Sequence, residues 1–160
     1  MAAIYSGYQP GVIGQITTLH ASYYANHWNF GAYFEAKVAT ELASFVKRFK
    51  PEQDLLLTVQ VKQKIEGSII IDGATHQEGA QLRWFILSDA LRGKGYGRKL
   101  IRQAIEFCQE KEYPTISLWT FEGLPAARKL YEEAGFKLIK ENKGSQWGRE
   151  VTEQQFRCVF

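Results

Sequence analysis

A strand that runs straight into a glycine-rich loop and then a helix limits what this chain can fold into more than any other stretch. Residues Leu87 to Lys99 read Leu-Ser-Asp-Ala-Leu-Arg-Gly-Lys-Gly-Tyr-Gly-Arg-Lys: an apolar run ends, three glycines follow, and helix-forming residues begin. Glycine takes positive φ at little cost and admits close approach of a ligand. Gly93, Gly95 and Gly97 can therefore gather successive amide N–H groups into one concavity. The following helix adds the positive end of its dipole, and Lys94, Arg98 and Lys99 add charge, so the place suits a phosphate or pyrophosphate. A plain strand-to-helix turn with a solvated basic face would carry the same glycines. The one-residue spacing fits neither Gly-x-x-x-x-Gly-Lys-Ser/Thr nor Gly-x-Gly-x-x-Gly, which sets aside the P-loop and the dinucleotide fold.

The remaining segments can be placed around that loop. Ile4 to Tyr8 reads as a short strand. Val12, Ile13, Ile16, His20, Tyr23, Tyr24 and His27 fall on one helical face, and a second helix runs from about Tyr33 to Phe49, stopped by Pro51. Leu55 to Val61 alternates as a half-buried strand, and Ile65 to Ile71 follows it as the return strand of an antiparallel hairpin. Gln81 to Leu87 is the strand that feeds the glycine loop. The helix from about Gly97 ends before Pro114, and Thr115 to Phe121 is the next strand. Together these make a right-handed βαβ unit with two parallel strands. Pro125 and Gly135 bracket another helix whose inner face is Ala127, Leu130, Tyr131 and Ala134. Phe136 to Glu141 and about Val151 to Phe160 close the chain as a strand pair. The expected fold is a mixed α/β sheet in one domain, residues 1–160, with antiparallel strands first and a parallel pair in the middle.

Composition removes several function classes. The chain has 160 residues and a net charge of only +3, with basic and acidic residues interleaved, so nucleic acid is not an expected partner. No apolar run approaches eighteen residues and the first residues lack a basic segment followed by an apolar one; no membrane association is expected, and the cytoplasm is the expected compartment. Cys108 and Cys158 are too far apart for a zinc pattern or a disulfide framework, and His20, His27 and His76 show no metal spacing, so no metal is expected.

Two segments resemble motifs of the GNAT acetyltransferases. Arg92-Gly93-Lys94-Gly95-Tyr96-Gly97 matches Arg/Gln-x-x-Gly-x-Gly/Ala, and Leu124 to Phe136 is similar to Asn-x-x-Ala-x-x-Leu-Tyr-x-x-x-Gly-Phe. Leu19 to Tyr24, Leu118 to Leu124 and Gln146-Trp147-Gly148 further resemble acetyltransferase domains that many bacteria fuse behind a MarR-type DNA-binding domain. No winged-helix segment precedes the domain here, so DNA binding is not expected. The resemblance implies a fold whose two central parallel strands splay apart, and acetyl-CoA as co-substrate. It places Phe85, Ile86 and Leu87 along the pantetheine arm, and Arg92, Gly93, Lys94, Gly95, Tyr96, Gly97 and Arg98 around the pyrophosphate, with Arg128 from the second motif. It also implies that Leu87 N–H polarises the thioester carbonyl and that Tyr131 protonates the departing thiolate. One position departs: Leu124 stands where the family has Asn, and leucine can neither cap the helix nor bond the cofactor.

The chemistry implied is direct attack of a neutral amine on the thioester, helped by positioning and by stabilisation of the oxyanion. Tyr131, an un-ionised phenol at neutral pH, is suited to act as general acid. The strand before the loop has no glutamate to act as base, which leaves Glu35, Glu122, Glu141 or a water relay. Trp28, Phe30, Phe34, Trp84, Trp119, Phe121 and Trp147 come from the segments expected near the acceptor. They would make a narrow apolar pocket, with Glu35, Arg83 and Gln146 as polar anchors. An acetyltransferase acting on a small primary amine or amino acid is the expectation. Acetylation of a protein lysine or N-terminus, and a non-catalytic acyl-CoA sensor, are the alternatives; a homodimer is compatible with any of them.

Overall fold

Leu55–Val61 (β2) turns into Lys64–Asp72 (β3) through Lys62 and Gln63, both at positive φ (52° and 68°), the conformation that joins two twisted antiparallel strands with two residues. In this computed structural model, which describes residues 1–74 and 78–160, that hairpin is the start of a seven-stranded sheet. His76 lies outside the described residues. The other strands are Ala2–Ser6 (β1), Ala80–Leu87 (β4), Thr115–Phe121 (β5), Lys137–Gly144 (β6) and Val151–Val159 (β7), in spatial order β1-β2-β3-β4-β5-β7-β6. Every neighbouring pair is antiparallel except β4 and β5. The mixed sheet and its central parallel pair agree with the sequence expectation. The closing strands are rearranged in space, because β7 inserts between β5 and β6 and leaves β6 as an exposed edge. Lys137, Lys140, Glu141 and Lys143 on β6 are charges of the kind that discourage edge-to-edge association.

Helices Val12–Trp28 (α1) and Ala32–Lys47 (α2) cover one face of the sheet, where Val12, Ile16, Leu42 and Phe45 pack with Leu56, Ile65 and Ile70. Helices Tyr96–Glu110 (α3) and Pro125–Glu133 (α4) cover the other, where Leu100, Ile101, Ala104, Cys108 and Tyr131 meet Val59, Ile69, Ile71 and Leu82. Ile69 and Ile71 on β3 therefore face one core and Ile70 the other, as the two-residue repeat of a strand requires, while the register shift between Gly67 and Ile65 brings Ile65 to the Ile70 side. A 3-10 turn at Asp89–Leu91, which the sequence does not signal, sits between β4 and the glycine loop.

Two features of β4 position everything that follows. Its pairing with β5 extends only over Ala80–Ile116 and Gln81–Ser117, after which the strands part. On the other side, β4 carries one extra residue against β3: Ser68 faces Ile86 and Ile70 faces Arg83. The bulge falls at Trp84, whose φ of 46° is unusual for an aromatic residue and whose carbonyl accepts a hydrogen bond from Ser68 Oγ at 2.7 Å.

Candidate active site

Where β4 parts from β5, two adjoining spaces open. The first is a cleft of about 540 Å³ between the glycine loop, the start of α3 and the start of α4. Phe85, Ile86, Leu87, Arg92, Gly93, Gly95, Tyr96, Gly97 and Arg98 line it. Gly93 and Gly95 sit at φ of 73° and 83°, and a Cβ built on either would meet nothing within 4 Å, so the loop backbone is open to a ligand. Gly97 is different. It is buried in the first turn of α3, where a Cβ would come within 2.8 Å of Leu130 Cδ1, so its lack of a side chain serves helix packing rather than the amide concavity. Lys94 is exposed beside the lining, and Arg128 lies away from the cleft, its guanidinium over the Phe156 ring at 5.4 Å and its Nε 3.6 Å from Glu132. Arg98 is engaged by the Glu133 carboxylate (3.0 and 3.2 Å), and Arg92 lies over the Tyr23 ring and donates to the Leu87 carbonyl at 3.4 Å.

The ladder determines where the Leu87 amide points. Ser88 N–H donates to the Glu66 carbonyl at 2.7 Å, which makes 66 and 88 a hydrogen-bonded pair and its neighbours Gly67 and Leu87 a non-bonded one. Leu87 N–H therefore faces away from β3, toward the edge that β5 has left.

The second space is smaller, about 280 Å³, and lies on the α1/α2 side of the same opening. Tyr24, Phe85, Leu124 and Ala127 line both spaces and form the wall between them. Phe34, Trp84, Trp119, Phe121, Trp147, Arg83 and Gln146 line this cavity. Trp28 and Phe30 do not; they stand behind Phe121, Trp28 with its edge on the Phe121 ring at 4.8 Å and its indole against Gly123, where a Cβ would lie 2.2 Å away. Their rings brace the wall. Leu124 has no capping side-chain hydrogen bond at the start of α4, and its side chain is part of the shared wall instead.

Tyr131 reaches the cavity from α4. Its ring packs on Phe85, Phe136 and Phe156 at 5.9 to 6.2 Å, and its hydroxyl has no hydrogen-bond partner among the described residues. Burial, reinforced by the nearby Tyr24 hydroxyl, pushes the phenol well above its ordinary range, so it keeps its proton.

None of the glutamates singled out from the sequence lines the cavity: Glu35 is exposed in the first turn of α2, Glu122 is exposed just after β5, and Glu141 on β6 accepts from Gln154 Nε2 on β7. Lys37 and Glu41, which the sequence does not single out, do line it, as do His20 and, as a wall residue, Tyr24, both from the face expected for the first helix. His20 Nδ1 donates to the Ile16 carbonyl at 2.8 Å, and burial pushes the imidazole down to about 4. At neutral pH the ring is uncharged, and Nε2 holds the lone pair. Glu41 accepts from Lys37 Nζ and from Arg83 Nη2, both at 2.5 Å. The signal for the α2 residues was present: Phe34, Val38 and Leu42 mark the inward stripe, and Lys37 and Glu41 flank it at helical spacing.

The family model of the GNAT acetyltransferases matches residues 14–136. Among curated proteins, the chain is similar to N-acetylaspartate synthetase of Danio rerio, 26% identical over 124 residues, covering 77% of this chain and 44% of that protein. The chain thus spans less than half the length of that relative. Among solved structures, an acetyltransferase of the GNAT family from Staphylococcus aureus Mu50 superposes with a TM-score of 0.78 at 17% identity, covering 99% of both chains. A Salmonella typhimurium protein solved with its cofactor acetyl-CoA superposes with a TM-score of 0.76 at 14% identity, over 99% of this chain and 94% of that one.

Proposed function

The chain belongs to the GNAT family of acetyltransferases, and from that premise we propose that it transfers the acetyl group of acetyl-CoA to the primary amine of a small molecule, an amine or an amino acid. One observation carries the proposal: the glycine-loop cleft and the aromatic cavity share a wall at the point where β4 leaves β5. A thioester entering from the cleft and an amine entering from the cavity would meet there.

The loop amides of residues 93–98 hold the pyrophosphate in the concavity that Gly93 and Gly95 leave open. The backbone of Phe85 to Leu87 tracks the pantetheine arm. Leu87 N–H, facing the opened edge, donates to the thioester oxygen and stabilises the charge that forms there. Acetyl-CoA supplies an activated acyl group, so the residues need only align it with the amine. As the C–N bond forms and the C–S bond breaks, Tyr131 gives its phenolic proton to the thiolate. The nitrogen releases one proton, which leaves through water, and Tyr131 regains its proton by the same route; His20, on the cavity wall, stays neutral because burial disfavours its charged form. Of the alternatives the sequence leaves open, Glu35, Glu122, Glu141 or a water relay, this scheme uses the relay, since none of the three glutamates lines the cavity.

A cavity of about 280 Å³ is below the usual size of ligand pockets and has little room for a peptide. The curated relatives support a small acceptor, since their name refers to an N-acetylated amino acid. The test follows CoA thiol release from acetyl-CoA in the presence of small amines and amino acids, and separately with lysine peptides and a peptide bearing a free N-terminus. Turnover with the small molecules and none with the peptides is expected; the reverse would assign the protein-modifying alternative. Tight acetyl-CoA binding with no turnover on any acceptor would make the chain a sensor.

A further inference from the structure

Charge in the aromatic cavity is confined to one end. Lys37 and Arg83 each bind one oxygen of the same carboxylate: Lys37 Nζ meets Glu41 Oε2, and Arg83 Nη2 meets Glu41 Oε1. Both oxygens of Glu41 are therefore taken, while the two cations keep donors to spare. A lysine ammonium has three N–H groups and an arginine guanidinium five. Asp72 lies 3.5 Å from Arg83 Nη1 but is already held by Arg48 through two hydrogen bonds (3.1 and 2.6 Å). Among the described residues lining the cavity, two cations thus stand against one anion, with His20 uncharged.

The cations are held in place. Arg83 lies over the Trp84 ring with its guanidinium carbon 4.0 Å from the centroid, and Glu41 holds Lys37 one helical turn away on α2. Arg83 is 26% exposed and Lys37 28%, so both are partly withdrawn from solvent yet accessible from the cavity. Tyr131 and the shared wall, where the acetyl group would arrive, belong to the α4 side of the same small space.

We propose that Lys37 and Arg83 form a carboxylate subsite, so that the acceptor is an amine that also carries a carboxylate: an amino acid, not a simple monoamine or a polyamine. This rests on the small-molecule reading above. A carboxylate directed at the Lys37–Arg83 end leaves the amine of the same molecule directed at Tyr131. Arginine is the side chain best suited to hold it, because its fork can give two parallel N–H bonds. A second ammonium in that position would meet the excess positive charge, so the site rejects diamines as well as favouring amino acids.

The experiment measures kcat/KM with acetyl-CoA for matched acceptors: L-phenylalanine against phenethylamine, L-aspartate against β-alanine, and cadaverine as the diamine. The phenylalanine pair reads the carboxylate itself, and the aspartate pair reads a second carboxylate against one. At least one carboxylate-bearing member is expected to exceed its decarboxylated partner by about 10- to 100-fold, with cadaverine the poorest substrate. Arg83→Gln and Lys37→Met should bring that ratio toward one, with Arg83→Lys restoring part of it; a generally loosened fold would lower both members together. Because Arg83 also braces Asp72, Lys37→Met keeps the test valid if Arg83→Gln is poorly folded. Acetylation of amines without preference for the carboxylate, or a preference that survives both substitutions, overturns the subsite and leaves the small-molecule reading standing. Acetylation of lysine peptides alone removes that reading and the subsite with it.

Discussion

The glycine cleft and the aromatic cavity lie on either side of one wall but are made of different material. The cleft is mainly backbone: two glycines with open space around them, the start of α3, and an amide edge that β5 has released. The cavity is mainly side chains, drawn from α1, α2, β4, β5, α4 and the segment between β6 and β7. Main-chain amides suit a group that is the same in every reaction, such as a pyrophosphate. Rings and charges contributed by distant segments can be exchanged one at a time, which suits an acceptor that differs from one enzyme to another.

The largest test of that division is Tyr131→Phe, since Tyr131 serves the cavity without holding the cofactor. Rate should fall by roughly 10²–10⁴-fold with acetyl-CoA affinity unchanged by calorimetry. Equal rates, with the chemical step shown to limit turnover, would reduce Tyr131 to a ring packed on Phe85, Phe136 and Phe156.

His20 gives the cavity a pH signature that the cleft lacks. Its folded value of about 4 lies below the ordinary 6.5, so between these pH values the unfolded chain binds a proton that the folded one refuses. Stability from this source is complete above pH 6.5 and declines as the pH falls, by about 3 kcal/mol at pH 4. Chemical denaturation across that range should show the decline, and His20→Gln should flatten it relative to the parent. Parallel profiles for the two proteins would mean that the folded ring takes a proton as readily as the unfolded one.

Gly95→Val addresses the cleft alone. The added side chain meets no neighbour, so the fold should persist, but φ of 83° is costly for a β-branched residue and the methyl groups would occupy the amide concavity. Acetyl-CoA should bind about 10- to 100-fold more weakly, some 1.4 to 2.8 kcal/mol. Undiminished affinity in a folded variant would move the pyrophosphate elsewhere.

The smallest effect separates lining from bracing. Trp147→Ala should raise the acceptor KM by about tenfold or less, a loss comparable to one buried contact. Trp28→Ala should lower Tm and leave that KM alone, because Trp28 supports Phe121 and Gly123 from behind. A KM change in the Trp28 variant at constant Tm would put that ring inside the site.

What was legible in the sequence divides along the same wall. Gly93-x-Gly95 and the Pro125-to-Gly135 helix are local arrangements, and local backbone preferences fix them, so both could be placed before any coordinates. That Tyr131 turns inward followed from its place on that helix. The acceptor side was harder, because aromatic content does not say which way a ring turns: Phe34 faces the cavity and Phe30, four residues earlier, does not. Glu35 and Glu41 differ by 600° of helical rotation, or 240° net, and only the second is on the cavity side. The bulge at Trp84 leaves no mark in composition or periodicity, since an apolar strand reads the same with or without one extra residue.

That extra residue gives β4 a sensitivity of its own. Because it resets the two-residue phase of the strand, Arg83 and Trp84 can both turn toward α2 while Phe85 and Leu87 turn toward α3. Substitutions along β4 change one contact each. Loss of the codon at position 84 would instead close the bulge: Ile70–Arg83, Ser68–Ile86 and Gly67–Leu87 would stay paired, Arg83 and Leu87 would keep their faces, and the Trp84 ring and the carbonyl held by Ser68 Oγ would be lost together. The one codon this ladder can spare is the one whose ring lines the acceptor cavity, so a deletion at 84 should damage the acceptor side and leave the cofactor edge in place.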